Sequence, residues 1–368
     1  MSQVVKRAYK FRFYPSGAQA AELSRTFGCV RLVWNRALDA RQRRYATESK
    51  STTYVQASAE LTKWKSLPEL AFLNEVSSVP LQQVLRHQQA AFAAFYAKRA
   101  RYPRFKSRKR SRASAEYTRS GFRWRGGELT LAKMAEPLDI RWSRQMPDGA
   151  VPSTVTVSCD SAGRWFVSLL VEETVAALPS TPQTVGVDVG LTCLAVLSTG
   201  EKIVNPRHER ADRRRLAKAQ RDLARKMKGS NNREKARRKV ARIHARITDR
   251  RTDFLHKLST RLIRENQAVA IEDLTVRNMV ANHALARAIS DASWRQLRSM
   301  LEYKADWYGR EVLVVDRWYP STRVCSHCGA LHARLPLDVR EWTCRCGAVH
   351  DRDVNAARNI LAAGLAER

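Results

Sequence analysis

The first apolar residues of the chain alternate with charged ones. Tyr9, Phe11 and Phe13 are separated by Lys10 and Arg12, the period of two of a half-buried strand, and Pro15 ends it. From residue 17 the spacing changes. Leu23, Phe27, Val30 and Trp34 recur every three or four positions, which predicts a helix to about residue 47 with Arg41, Arg43 and Arg44 on its wet face. Helical spacing continues to about residue 100, with Leu81, Leu85, Phe92, Phe95 and Tyr96 on the last helix. Residues 117–178 then turn β-rich: GFRWRGGELTLA, STVTVSCD and GRWFVSLLVEE are punctuated by Gly, Pro and Asp. The expectation is a small antiparallel barrel or sheet that includes the opening strand, with a helical bundle inserted after it. AALPSTPQ, residues 176–183, reads as a linker.

Beyond the linker the pattern is strand, short turn, strand. Val185, Val187 and Val189 occupy one face, which leaves Asp188 on the other, between Gly186 and Gly190. Flanking glycines let another backbone or a ligand come close. A helical hairpin runs from Arg207 to Arg251, broken by GSNN at 229–232. Its stripe of Leu216, Leu223, Val240, Ile243 and Ile247 is expected to dock it on its own domain. QAVAIEDL is an apolar strand ending in Glu272 and Asp273, which strand geometry sends to opposite faces, so only one of them can join Asp188. A further strand, EVLVV, covers 311–315. The last element is the helix DVNAARNILAAG, with Ala356, Ala357 and Ile360 on its buried side and Asp353 placed to cap or begin it.

Charge sharpens this outline. Among 368 residues, 67 are Lys or Arg and 35 are Asp or Glu, a formal net charge of +32, far beyond the ~2 to 8 that solubility asks of a small domain. A polyanionic partner is expected. The charge is concentrated in two places. Lys98–Arg112 has nine basic residues, no acidic one, and Tyr102 and Phe105 interleaved; the hairpin has nineteen basic against five acidic. Basic side chains displace condensed counterions from phosphates, and aromatics pack on sugars or bases. Candidate contacts are Arg104, Lys106, Arg108, Lys109 and Arg110, then Arg213, Arg214, Arg237 and Arg238. The alternative is a solvated basic surface. No apolar run of about 18 residues and no signal-type h-region occurs, so a cytoplasmic protein with no membrane partner is expected.

Four of the seven cysteines, Cys325, Cys328, Cys344 and Cys346, are spaced as metal ligands, whereas Cys29, Cys159 and Cys193 are scattered in apolar contexts. CSHCG is an ordinary zinc-ribbon knuckle and CRCG is one residue short, so His350 or His327 in place of one cysteine is an alternative. Four protein ligands would make the zinc structural. The ribbon runs directly into the aspartates of HDRD, residues 350–353. Acids on two strands and at the start of a helix could hold two divalent cations ~3.5 to 4 Å apart, the arrangement of many phosphodiester-cutting enzymes; hard oxygen ligands suit Mg²⁺. Three unrelated acids is the competing reading.

GVDVG, IEDL, CSHCG with WTCRCGAVHDRDVNAARN, RYPRFKSRKR and the opening FYPSGAQ together resemble TnpB, the transposon-associated RNA-guided nucleases related to type V CRISPR effectors. The resemblance spans nearly the whole chain, and HDRDxNAA after a cysteine ribbon is its most specific part. It implies an α/β chain with small β and helical parts: a RuvC-type, RNase H-like nuclease domain (179–317 and 348–368) with an inserted zinc ribbon (318–347). Ahead of it would stand a β-barrel wedge domain (1–15 and 114–178) carrying a helical recognition insertion (16–113). It assigns Asp188, Glu272 and Asp353 as the metal-binding triad, with two Mg²⁺ or Mn²⁺ ions, one structural Zn²⁺, a guide RNA derived from the transposon end, and double-stranded target DNA beside a short flanking motif. Asp351 would be a neighbour. The short second knuckle departs from many relatives. Competing functions are a DDE-type transposase working without RNA and a guide-dependent repressor that no longer cuts.

Overall fold

The computed structural model describes residues 2–333, 336 and 338–368. The chain divides into two compact units, Val4–Glu173 and Thr174–Arg368, the latter including residues 2–3.

In the first unit, strand β1 (Ser2–Phe13) buries Tyr9, Phe11 and Phe13 and is followed by helices α1 (Gly17–Glu48), α2 (Tyr54–Ser66) and α3 (Ser78–Tyr96). Ser16 starts α1 with a reciprocal cap: its hydroxyl accepts from the Gln19 amide while the Gln19 side chain accepts from the Ser16 amide. Thr53 and Gln56 repeat the device at α2. Strands β2 (Ala113–Thr118), β3 (Phe122–Arg125), β4 (Glu128–Leu131), β5 (Ile140–Arg141), β6 (Thr154–Cys159) and β7 (Trp165–Ala176) follow. The sheet order is β2-β6-β7-β1-β5, with β3 and β4 forming a separate hairpin. One apolar core joins the sheet to the helices, from Phe11 and Phe13 in β1 and Val167 and Leu169 in β7 to Leu23, Leu81 and Leu85.

The second unit is built on strands β8 (Thr184–Val189), β9 (Cys193–Leu197), β10 (Lys202–Val204), β11 (Ala268–Glu272) and β12 (Glu311–Val315), in the order β10-β9-β8-β11-β12. β8, β9 and β10 form an antiparallel meander, while β11 runs parallel to both β8 and β12. Between β10 and β11 stand α4 (His208–Ala224) and α5 (Asn231–Glu265); between β11 and β12 stand α6 (Val276–Met279), α7 (Ala286–Ala292) and α8 (Trp294–Tyr308). A two-stranded ribbon, β13 (Glu341–Thr343) with β14 (Val349–Asp351), leads into α9 (Arg352–Ala366). The C-terminal half of α5 joins α8 in the core over the sheet through Leu255, Leu258, Leu262, Leu297 and Leu301.

The hairpin's stripe is satisfied differently from the expectation. Leu216, Ala219, Ile243 and Ile247 form a cluster of their own between α4 and α5, with Val240 against it and Leu223 only half-buried. The two helices cover each other, leaving their basic faces in water. Among the described residues no helix is long and apolar enough to cross a membrane.

Candidate metal centres

Helix α9 lies against β8, β11 and β12, and two glycines permit it. A Cβ on Gly186 would collide with the Ala357 carbonyl oxygen and crowd Leu361, and one on Gly364 would stand 3.0 Å from the Ala270 Cβ. Of the two roles the flanking glycines of Asp188 could serve, Gly186 admits a backbone. The close approach brings the first turn of α9 to the ends of β8 and β11, where Asp188 and Glu272 stand.

Five acids meet there, and their partners differ. Asp351 is the N-cap of α9: its Oδ1 accepts from the amides of Asp353 and Val354 at 3.1 and 3.0 Å, while Oδ2 takes Lys202 Nζ at 2.6 Å. Asp353 therefore lies in the first turn of the helix, after Arg352, and does not cap it. Asp273 is held by two guanidiniums, those of Arg298 and Arg317, which keep its carboxyl below the usual range. Glu272 Oε1 accepts from Ser321 Oγ at 2.7 Å, its one hydrogen-bond partner among the described residues. Asp353 faces Arg340 at 3.3 and 3.4 Å across a largely exposed gap. Asp188 has no hydrogen-bond partner among the described residues. Burial, then repulsion from Glu272 and Asp353, raises its carboxyl well above the ordinary value, with Arg352 opposing.

Of the two acids of IED, Glu272 is the one close enough to act on the Asp188 carboxyl. Asp273 is ion-paired with two arginines, whereas Glu272 has no cationic partner among the described residues and one oxygen outside its Ser321 hydrogen bond. Asp188, Glu272 and Asp353 offer hard oxygen donors of the kind that hold divalent cations such as Mg²⁺, and Glu272 and Asp353 are close enough to act on the Asp188 carboxyl; among the described residues only the four cysteines come together as a ready metal-ligand set. Beside Glu272 opens a cleft of about 470 Å³ lined by Arg277, Arg295, Arg298 and Arg317.

The four cysteine sulfurs lie within 4.8 Å of one another. Cys325 to Cys346 is 3.9 Å and Cys328 to Cys344 is 3.6 Å, against ~3.8 Å between sulfurs of a tetrahedron with a Zn–S length of about 2.3 Å. The geometry suits zinc, short knuckle included. His350 lies 3.0 Å from Cys325 Sγ, and His332, which sequence spacing did not single out, lies 3.1 Å from Cys344 Sγ; both rings pack on Trp342. Burial raises the Cys325 thiol, but the backbone amides of Cys328 and His327 and the side chains of Cys344 and His350 bring it down to about 5. The ribbon is tied to α9 by two buried asparagines. Asn355 accepts from the Ser326 amide and donates to the Val324 carbonyl, and Asn359 donates to the Ser321 and Val324 carbonyls. Their four-residue spacing on the inner face of an otherwise apolar helix was the signal for them.

The candidate phosphate contacts fall on both units. Arg104, Arg108, Lys109 and Arg110 are exposed. Lys106 is half-buried with its ammonium 3.9 Å from the Trp34 ring centre, and Asn35 bonds its backbone on both sides. Arg25, Arg31, Lys106, Arg108 and Arg112 line a cleft of about 490 Å³ in the first unit. Arg213, Arg214, Arg237 and Arg238 are exposed on α4 and α5. Glu209 pairs with Arg213, and Glu234 with Arg237 and Arg238.

Comparison with known proteins agrees along the chain. Residues 167–283 match the OrfB_IS605 family model, described as "Probable transposase", and 294–360 match one described as "Cas12f1-like, TNB domain". Residues 1–50 match one described as "Helix-turn-helix domain"; here they form β1 and the single long helix α1. A Streptomyces pristinaespiralis protein named as an RNA-guided DNA endonuclease is 71% identical over 100% of this chain and 91% of its own length. The Escherichia coli K12 protein named as the RNA-guided DNA endonuclease InsQ is 35% identical over 98% of this chain and 92% of its own. The fold is that of the Cas12f1 chain solved in a complex with sgRNA and target DNA: TM-score 0.61 at 12% identity, covering 97% of this chain and 98% of that one. With its ribbon and its acids on β8, β11 and α9, the chain belongs to the TnpB (OrfB_IS605) family.

Proposed function

We propose that this protein is an RNA-guided DNA endonuclease that hydrolyses phosphodiesters at Asp188, Glu272 and Asp353. The observation that carries the reading is the meeting at Asp188: a half-buried carboxyl whose side chain has no hydrogen-bond partner among the described residues, close enough to Glu272 and Asp353, from separate stretches of chain, to be acted on by both. Structural acids are capped or paired, as Asp351 and Asp273 are. The β8–β12 sheet with α9 across it is then the RuvC-type, RNase H-like domain, residues 318–347 its zinc ribbon, and the first unit a wedge barrel with a helical recognition insertion.

Mg²⁺ or Mn²⁺ held by the three acids would activate a water and stabilise the leaving 3′ oxygen, giving a 5′ phosphate and a 3′ hydroxyl. Glu272, fixed by Ser321, presents Oε2. Asp351 holds the start of α9 and so sets where Asp353 stands. Arg298 and Arg317 are matched by Asp273 and Glu302, so Arg277 and Arg295 in the adjoining cleft supply the positive charge beside the acids for the phosphates flanking the cut. Zinc is held by Cys325, Cys328, Cys344 and Cys346. Guide RNA and double-stranded target DNA are the polyanions answering the +32 charge. The relatives named as RNA-guided endonucleases support this over a transposase working without RNA.

The test is to purify the protein with the RNA it retains and offer DNA matching that RNA. Mg²⁺-dependent cleavage abolished by Asp188→Asn, with DNA binding retained, is expected. Absence of bound RNA would reject guidance, and full cleavage by Asp188→Asn would reject the site.

A further inference from the structure

We propose that Ser321, at the base of the zinc ribbon, is a positioning residue for Glu272, and that α9 holds it there; the inference rests on the reading of Glu272 as a metal ligand. β12 pairs with β11 so that Glu272 lies beside Val315. The chain then turns back, and six residues after Val315 the Ser321 hydroxyl donates to Glu272 Oε1 at 2.7 Å. Ser321 is only 4% exposed and each of its polar groups is committed. Its amide donates to the Tyr319 carbonyl at 2.8 Å, and its carbonyl accepts from Asn359 Nδ2 at 2.7 Å. Asn359, 3% exposed, also donates to the Val324 carbonyl, one residue before the zinc-ligating Cys325.

The chemistry of the donor matters as much as its place. A hydroxyl fixes one carboxylate oxygen without cancelling the charge, leaving Oε2 for a cation. The adjacent Asp273, gripped by Arg298 and Arg317, shows what a cationic partner does: the charge is already answered. Residues that orient metal ligands typically govern affinity or activity by about 10–100-fold. Ser321 thus couples the ribbon's anchorage to the cutting site, although neither Ser321 nor Asn359 is itself a ligand.

The experiment uses the full chain with its retained RNA and Mn²⁺ as probe, counting free Mn²⁺ by electron paramagnetic resonance. Ser321→Ala should weaken Mn²⁺ binding by roughly 10–100-fold and raise the Mn²⁺ concentration for half-maximal cleavage in parallel. Zinc content and guided DNA binding should be unchanged, and Ser321→Thr, which keeps the hydroxyl, should recover most of the loss. Unaltered Mn²⁺ affinity in Ser321→Ala overturns the proposal. So does loss of zinc or DNA binding in that variant, which would make Ser321 a strut of the ribbon, and so does Ser321→Thr behaving as Ser321→Ala. Glu272→Gln in the otherwise unaltered chain separates the two readings: if it keeps Mn²⁺ binding and cleavage, the metal-ligand assignment fails; if it loses both while Ser321→Ala is normal, only the positioning role does.

Discussion

Asp351 and Asp353 are two positions apart and have different work. Asp351 spends one oxygen on two backbone amides and the other on Lys202, so Asp351→Ala should cost about 1 kcal/mol of helix stability, seen as a melting shift of roughly 2–4 °C, with a smaller effect on cleavage. Asp353→Ala removes an acid held only by an exposed arginine, and exposed pairs contribute little to stability. Melting should barely change, while cleavage falls about 10³-fold or more if several kcal/mol of charge stabilisation at the cut are lost; retained cleavage in a guide-loaded sample would refute the role. Lys106 needs the opposite reading from its neighbours. Burial pushes its pKa down, and it sits over Trp34, so Lys106→Gln should lower stability by roughly 0.5–2 kcal/mol and affect nucleic-acid binding less than Arg108→Gln with Lys109→Gln. A denaturation series beside a binding titration distinguishes these outcomes.

Local pattern revealed the opening strand, α1 and the cysteine spacing, which each follow from contiguous residues; it misplaced Arg41, expected on α1's wet face but buried with its guanidinium on the Thr52 carbonyl and the Gln89 side chain. What depended on distant partners was hidden. Whether Glu272 or Asp273 is left without a cationic partner is decided by Ser321 on one side and Arg298 with Arg317 on the other, 25 to 49 positions along. The α4–α5 stripe was correctly apolar but wrongly addressed, since periodicity states that a face is buried and not against what. At Gly186 helix α9 lies against β8 with no room for a Cβ. Gly186→Ala should destabilise the second unit by at least about 1–3 kcal/mol, the usual penalty of overpacking, measurable by urea denaturation. Cys344→Ser should lower both zinc content and stability, because metal binding and folding of such a module are linked; well-folded protein of either form without zinc would reject the ribbon.

Over the whole chain, the charge of +32 makes nucleic-acid binding an ion-exchange reaction. Six or more phosphate contacts would lose ~10³ or more in affinity between 50 and 200 mM salt. Replacing Arg213, Arg214, Arg237 and Arg238 by Gln should flatten that dependence without unfolding the chain, since the hairpin's core of Leu216, Ile243 and Ile247 is untouched. An unaltered slope would leave the hairpin a merely solvated arm. The order of the three proposed ligands along the chain has its own consequence. Asp188 and Glu272 are synthesised well before Asp353, and domains begin to fold while synthesis proceeds. A ribosome that has made β8 through β12 has produced two acids and a sheet whose face at Gly186 and Ala270 still lacks its helix. On the proposed reading of Asp353 as a metal ligand, a premature stop between β12 and Arg352 yields a chain that lacks that acid and the helix covering Gly186 and Ala270 together, so that loss of cutting and exposure to proteolysis coincide.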